Sequence, residues 1–268
     1  MPNIKTLPLE WLADPVSKKS PRFEGEIAHC ESGDYRYNAE NHYWDFVPKG
    51  IGNLFGDQWL VWQQLQDNGV VSYQNDPSKN LGVGHRPDFL AFAKFCGFRG
   101  AVLDVGCGPQ RVPTHMAATL QSDVFFVGID PLVGEQPREF PFVLGVGEYL
   151  PFREGIFDQV LFVTSLDHFL DPVPPLQEAK RVLSSKGEVC VWIGEKDKNA
   201  PRTQTSPEWY LRLKVPPGAD DVFHYRRFTV AEFERCAASA GLEIADRSVT
   251  EVDQWRKHFF YRLRSRKP

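Results

Sequence analysis

Asp104, Gly106, Cys107 and Gly108 close an apolar run that begins at Ala101, and about twenty positions later a second run, Val124 to Ile129, ends on Asp130. Two glycines after a buried strand let the backbone pass close to a ligand with no side chain between them. A carboxylate at the end of the next strand can accept both hydroxyls of a ribose. The chemistry this spacing could do is nucleoside binding, with Pro131 and Leu132 continuing the wall beyond the acid. Cys107 is read as a small lining residue, since a side chain between the two glycines serves close approach and not nucleophilic attack.

The kind of nucleoside follows from what the turn lacks. A dinucleotide fingerprint wants Gly-x-Gly-x-x-Gly, whereas the residues that follow Gly108, Gln110 among them, supply no third glycine. Asp104 just before the turn would repel a pyrophosphate, which prefers a bare helix amino-terminus, and would attract the ammonium of a methionyl group. These features point to S-adenosylmethionine.

On four motifs in order, the stretch from Ala101 to about Trp192 resembles class I, Rossmann-like S-adenosylmethionine-dependent methyltransferases of the small-molecule type. Gly147-Glu-Tyr-Leu-Pro-Phe152 is similar to the loop that lies along adenine, although Val146 stands where many relatives carry an acid. Phe157 to Val163 resembles the fourth strand, and Thr164-Ser-Leu-Asp-His168 the loop that faces the transferred methyl. Leu176 to Leu183 resembles the helix that leads through Ser184-Ser-Lys-Gly187 into the fifth strand, Glu188 to Ile193. The resemblance implies cofactor contacts at Gly147, Glu148 and Thr164, and a basic residue, Arg86, near the cofactor carboxylate.

Methyl transfer is an in-line displacement in which positioning does most of the work. A hydroxyl acceptor must also lose its proton, and His168, after the fourth strand, is the base candidate with Asp167 to orient it. His168 could equally cap the following helix while Asp167 bonds backbone. In Phe223-His-Tyr-Arg-Arg-Phe228, relatives fold over the acceptor, so His224 is a second base candidate and Arg226 a partner for an anionic group, with Arg227 left to the surface. Gly56-Asp-Gln-Trp59 matches a segment that covers the cofactor in relatives acting on sugars, which makes Trp59 a substrate candidate.

The elements that must position these groups form an α/β fold. The resemblance implies a doubly wound, mostly parallel seven-stranded sheet whose last strand is antiparallel. Asp57 to Gln66 reads as a helix stopped near Gly69, Asp88 to Phe95 as a helix opened by Pro87, and Thr229-Val-Ala-Glu232 as a capping box for a helix ended by Gly241. Leu242 to Val249 and His258 to Arg264 read as the final strand pair. The aromatic, turn-rich segments Glu26–Cys30, Asp34–Tyr37 and His42–Phe46 read as a small β-hairpin extension. They resemble a degenerate zinc ribbon in which only His29 and Cys30 remain as ligands, so no metal is expected. Residues 1–80 are taken as an accessory region, 81–268 as the cofactor-binding domain, and the proline-rich 195–228 as a substrate lid.

A chain of 268 residues, 42% hydrophobic, supports one good core with an attachment. Its amino-terminus has no uninterrupted apolar region and no segment approaches membrane-spanning length, so the expected location is cytoplasmic. Five scattered cysteines suggest neither a disulfide framework nor a zinc site. Net charge is −4, yet six cations fall between Arg256 and Lys267. The acidic remainder lacks a basic stripe interleaved with aromatics and argues against a nucleic acid groove. The expected acceptor is an oxygen or nitrogen of a small molecule, such as a sugar, nucleotide sugar or secondary metabolite. Two alternatives stay open: an RNA or protein methyltransferase docking through the basic carboxyl terminus, and a non-catalytic cofactor-binding partner subunit.

Overall fold

The structure, a computed structural model, describes residues 6–75, 87–117, 123–135, 137–200, 208–213, 215–216 and 219–266. Four short strands come first, β1 (Arg22–Glu24), β2 (Ile27–Cys30), β3 (Gly33–Asn38) and β4 (Tyr43–Asp45), followed by helices α1 (Ile51–Phe55), α2 (Gln58–Asn75) and α3 (Pro87–Cys96). The glycine turn lies between β5 (Ala101–Val105) and α4 (Thr114–Ala117), and β6 (Phe125–Asp130) and β7 (Phe142–Leu144) follow. Then come β8 (Phe157–Val163), α5 (Val173–Val182), β9 (Leu183–Lys196), α6 (Glu208–Leu211), α7 (Val230–Ser239), β10 (Leu242–Glu251) and β11 (Arg256–Ser265).

All eleven strands belong to one sheet, in the order β1-β2-β3-β4-β7-β6-β5-β8-β9-β11-β10. The seven strands from β7 to β10 are those expected, with β11 antiparallel to β9. The correction concerns the extension: β4 pairs in parallel with β7, Trp44 opposite Val143, so the hairpins enlarge the main sheet to eleven strands. Tyr43 and Phe142 meet across this pairing at 5.6 Å between ring centroids, and aromatic contacts also hold the hairpins to one another. Phe23 and Tyr37 meet Trp44 at 5.2 and 5.3 Å between ring centroids, and Tyr35 stacks on Phe46 at 5.0 Å. The preceding segment is pinned by Asp14, which accepts hydrogen bonds from Ser32 and Val16. Burial would raise this carboxyl, but those bonds hold it down at about 2.

Helices cover both faces, so β5 and β8 are apolar along almost their whole length without simple alternation. Successive residues still point to opposite sides. Leu103 and Val105 join the cluster under α5 and α7, whereas Val102 joins Phe92, Trp192 and Phe260 on the other face. On α5, Leu176, Ala179 and Val182 form the buried stripe, and α7 starts with the expected capping box of Thr229 and Glu232.

Two further expectations change. Helix α2 runs through Gly69 to Asn75, because this glycine has helical backbone and no neighbour within 4 Å of a Cβ placed there. The turn expected at 184–187 is a bulge inside β9: Phe157 pairs with Leu183, and Gln159 with Glu188. Among the described residues, no helix is long and apolar enough to cross a membrane.

Candidate active site

Strand order reverses at β5 and β8, and in doubly wound sheets the crevice beyond the strand ends at such a point is where ligands bind. A cavity of about 550 Å³ occupies it here. Its floor is the glycine turn. Gly106 and Gly108 have φ of +77° and +75°, and a Cβ on Gly106 would lie 2.5 Å from the Cβ of Ser165. Only glycine permits this turn, and the Ser165 hydroxyl secures it by donating to the Val105 carbonyl at 2.6 Å.

Asp130 ends β6 with its side chain beneath the turn. The Gly108 amide donates to Oδ2 at 2.7 Å and the Leu132 amide to Oδ1 at 2.8 Å. Burial pushes this carboxyl up to about 6, against those two amides and the Arg138 charge. Each oxygen keeps a lone pair for a further donor. Gly106, Cys107, Gly108, Pro131, Leu132, Gly147, Glu148 and Thr164 all line the cavity. Burial raises Glu148 to about 7 and holds the Cys107 thiol far above its ordinary value.

The structure places one cofactor candidate elsewhere. Asp104 is fully buried and receives His115 Nε2 at 2.8 Å, which withdraws it from the cavity wall. His115, on α4, lines the cavity in its stead. Arg86 lies outside the described residues.

Beside the turn, Thr164 leaves β8 with φ of +54°, a left-handed conformation costly for a branched residue. That bend turns the following loop into the cavity. His168 and Asp167 follow, and His224 comes in from the segment before α7, its ring centroid 4.6 Å from that of His168. His168 Nδ1 donates to the Phe223 carbonyl at 2.9 Å, and His224 Nδ1 donates to Asp221 at 2.9 Å, so in each ring Nε2 is the nitrogen left for a further partner. Burial and the neighbouring His224 hold His168 down at about 4. The ring is enclosed by protein, and its 36% exposure is toward the cavity. Against the burial that would raise it, His224 and Arg227 hold Asp221 well below the usual carboxylate range.

The acceptor candidates are rearranged. Arg226 does not line the cavity; its guanidinium donates to the Leu170 carbonyl and its amide to the Asp167 carbonyl, which ties the loops together. Arg227 is the cavity residue, bridging Asp167, Asp220 and Asp221. Trp59 is likewise displaced: it stacks between Phe55 and Trp62, and Trp62 reaches the cavity, donating its indole N–H to the His168 carbonyl at 3.1 Å.

The largest omission of sequence reasoning is the cavity face of α2. Trp62, Leu65, Gln66, Gly69, Ser72 and Tyr73 all line the cavity. Their spacing of three and four is helical, and the mixed character of the stripe, apolar and polar together, was the available signal of a face turned to a ligand. Burial pushes the Tyr73 hydroxyl up to about 12, near Gly108 and under the influence of Asp130.

Residues 103–191 match the family described as "Methyltransferase domain". No curated protein matches the chain in sequence. Among solved structures, the fold is similar to Burkholderia thailandensis 1,6-didemethyltoxoflavin-N1-methyltransferase, with bound 1,6-didemethyltoxoflavin and S-adenosylhomocysteine. The TM-score is 0.58 at 16% identity, over 92% of this chain and 99% of that one. A putative methyltransferase in complex with the Haloferax volcanii Trm112 methyltransferase activator gives 0.52 at 15% identity, over 75% and 97%. A putative methyltransferase from Bacillus halodurans gives 0.50 at 16% identity, over 68% and 100%.

Proposed function

We propose that this methyltransferase takes S-adenosylmethionine as its cofactor and acts on an oxygen or nitrogen of a small molecule, with sugars, nucleotide sugars and secondary metabolites as the favoured class. The observation that carries the reading is the single cavity joining the glycine turn and Asp130 to the Asp167, His168 and His224 wall. The residues present fit the cofactor. Gly108 brings bare backbone to the cavity wall at φ of +75°, Asp130 keeps acceptor capacity for ribose hydroxyls, and Glu148 stands on the wall beside Val146 where adenine would lie. When bound, the cofactor supplies a methyl carbon made electrophilic by its sulfonium.

The protein's part is to align the acceptor and exclude water. Thr164 turns the loop toward the methyl end, and Trp62 closes one side while fixing the backbone of His168. The two Nε2 atoms and the Asp167 carboxylate make an electron-rich wall against which a hydroxyl or amine would be held as it loses its proton. A cavity of this volume suits a small acceptor beside the cofactor better than an extended polymer. The similar fold from Burkholderia thailandensis has such an acceptor bound. Likeness of residues 22–52 to a zinc ribbon without its metal belongs to the same reading; His29 is engaged by Asp34 at 2.8 Å.

Docking of RNA or protein through the basic carboxyl terminus is less well supported, because three of those cations are paired with acids of this chain. Arg264 pairs with the buried Glu188 at 2.7 Å, Arg262 with Asp246, and Arg256 with Asp253 at 2.7 Å.

Calorimetric titration with S-adenosylmethionine, and separately with NAD, tests the cofactor. Binding of the first alone is expected, and an acceptor screen starting with nucleotide sugars then tests the substrate class. Failure to bind S-adenosylmethionine would overturn the reading.

A further inference from the structure

The acceptor wall has more donor groups aimed at one point than positioning requires. Asp167, His168 and His224 each offer a ligand atom, and these atoms lie within 4.8 Å of one another. His168 Nε2 is 3.9 Å from Asp167 Oδ1, and His224 Nε2 is 3.7 Å from Oδ2. Both separations are too long for hydrogen bonds. They suit two donors on one ion, since zinc-nitrogen and zinc-oxygen bonds are each about 2.0–2.2 Å.

Three independent features favour an ion over an ordinary polar cluster. Both imidazoles have Nδ1 anchored, His168 on the Phe223 carbonyl and His224 on the Asp221 carboxylate, which is how metal-binding histidines are held with Nε2 forward. Asp167 Oδ1 is buried and has no hydrogen-bond partner, an uncompensated acceptor that is costly to keep unless something occupies it. Arg227 engages only Oδ2, at 3.3 Å, and also pairs with Asp221, so it steadies the carboxylate and the outer partner of His224 while leaving Oδ1 open.

We propose that Asp167, His168 and His224 form a binding site for a divalent first-row transition ion at the acceptor end of the cavity. Two imidazoles and one carboxylate on one side of an ion suit iron, cobalt, nickel or zinc, and they leave coordination positions open toward the cavity. The role in methyl transfer rests on the function proposed above: the ion anchors an oxygen of the acceptor beside the methyl carbon and lowers its hold on its proton. An acceptor O–H gives that proton to solvent, its oxygen lone pair forms the new C–O bond, and the breaking C–S bond leaves its electron pair on sulfur as a neutral thioether. Acceptors with two adjacent oxygens would gain most. The sequence concealed the site, because the third donor lies 56 positions after the second and matches no metal-binding spacing.

The test is titration of the full chain, stripped of metal, with Co(II), read by calorimetry and by ligand-field absorption in the visible. One equivalent with tetrahedral or five-coordinate bands is expected. His168→Ala and His224→Ala should each weaken uptake at least about tenfold, and Asp221→Asn, which loosens the anchor of His224, by about 10–100-fold. Circular dichroism and S-adenosylmethionine affinity establish that each variant is folded; His168→Gln and His224→Gln, closer in volume, replace any alanine variant that is not. No Co(II) uptake by the unmodified chain, or uptake undiminished in folded variants, overturns the site. Co(II) uptake without S-adenosylmethionine binding would keep the site and remove the methyltransferase role, and the reverse result would do the opposite.

Discussion

The Gly108 amide meets Asp130 Oδ2 at 2.7 Å, so the residue proposed to hold a ribose also holds the turn over which the cofactor would lie. Asp130→Ala therefore removes a ligand group and a backbone anchor together. A charged hydrogen bond contributes about 1.5–3 kcal/mol, so S-adenosylmethionine affinity should fall on the order of 10–100-fold or more. Calorimetry on the folded variant checks this, and unchanged affinity would remove Asp130 from the cofactor site.

His168→Ala should lower the methyl-transfer rate about a hundredfold or more while cofactor affinity stays near normal. His168 is anchored by the Phe223 carbonyl, on a segment other than the glycine turn. Single-turnover rates beside binding isotherms separate the two effects. Full activity in the variant would remove His168 from the chemistry.

Glu148 links pH to stability. Its carboxyl is raised from 4.5 to about 7 by burial, so between those values the folded chain binds more protons than the unfolded one. Stability from this group is thus greatest at low pH and falls as pH rises toward 7. Glu148→Gln should be more stable than the unmodified chain at pH 8, by on the order of 1 kcal/mol or about 2–4 °C in Tm, with the difference vanishing near pH 4. Asp130, raised to about 6, adds to the same slope, while cofactor binding that needs its ionised form strengthens over the same window. Thermal melts across pH with both chains would expose an error of sign.

Gly106→Ala places a Cβ 2.5 Å from Ser165 Cβ at φ of +77°. The strain of about 1–3 kcal/mol should appear as a lower Tm and as weaker cofactor binding, because the turn must shift. A variant indistinguishable from the parent by denaturation and calorimetry would mean that the turn has slack.

The glycine-turn part of the cavity was largely legible in the sequence, since glycines, an acid and apolar strands are local signals. Gly106, Gly108 and Asp130 could be named from spacing alone. The acceptor end was harder, because it is assembled from segments far apart in sequence. Arg226 and Arg227 are neighbours, and no local pattern says which one turns inward; the answer depends on three acids, at 167, 220 and 221, gathered by the fold around Arg227. Trp59 and Trp62 pose the same problem one helical turn apart. Asp104 looked like a ligand group because its partner His115, eleven positions on, is brought beneath it only when α4 packs against the sheet.

The parallel pairing of β4 with β7 also bears on how the chain is made. Tyr43 lies opposite Phe142, about a hundred residues later, so the hairpins leave the ribosome long before the edge that receives them exists. Hairpin pairing from β1 to β4 is local and fast, whereas docking must close a long loop and therefore comes late. Until then, the aromatic face of Phe23, Tyr37 and Trp44 has no sheet to cover it, and the free edge of β7 offers unpaired backbone to any passing strand. The amino-terminal segment thus acts as a late-closing guard on the nascent sheet.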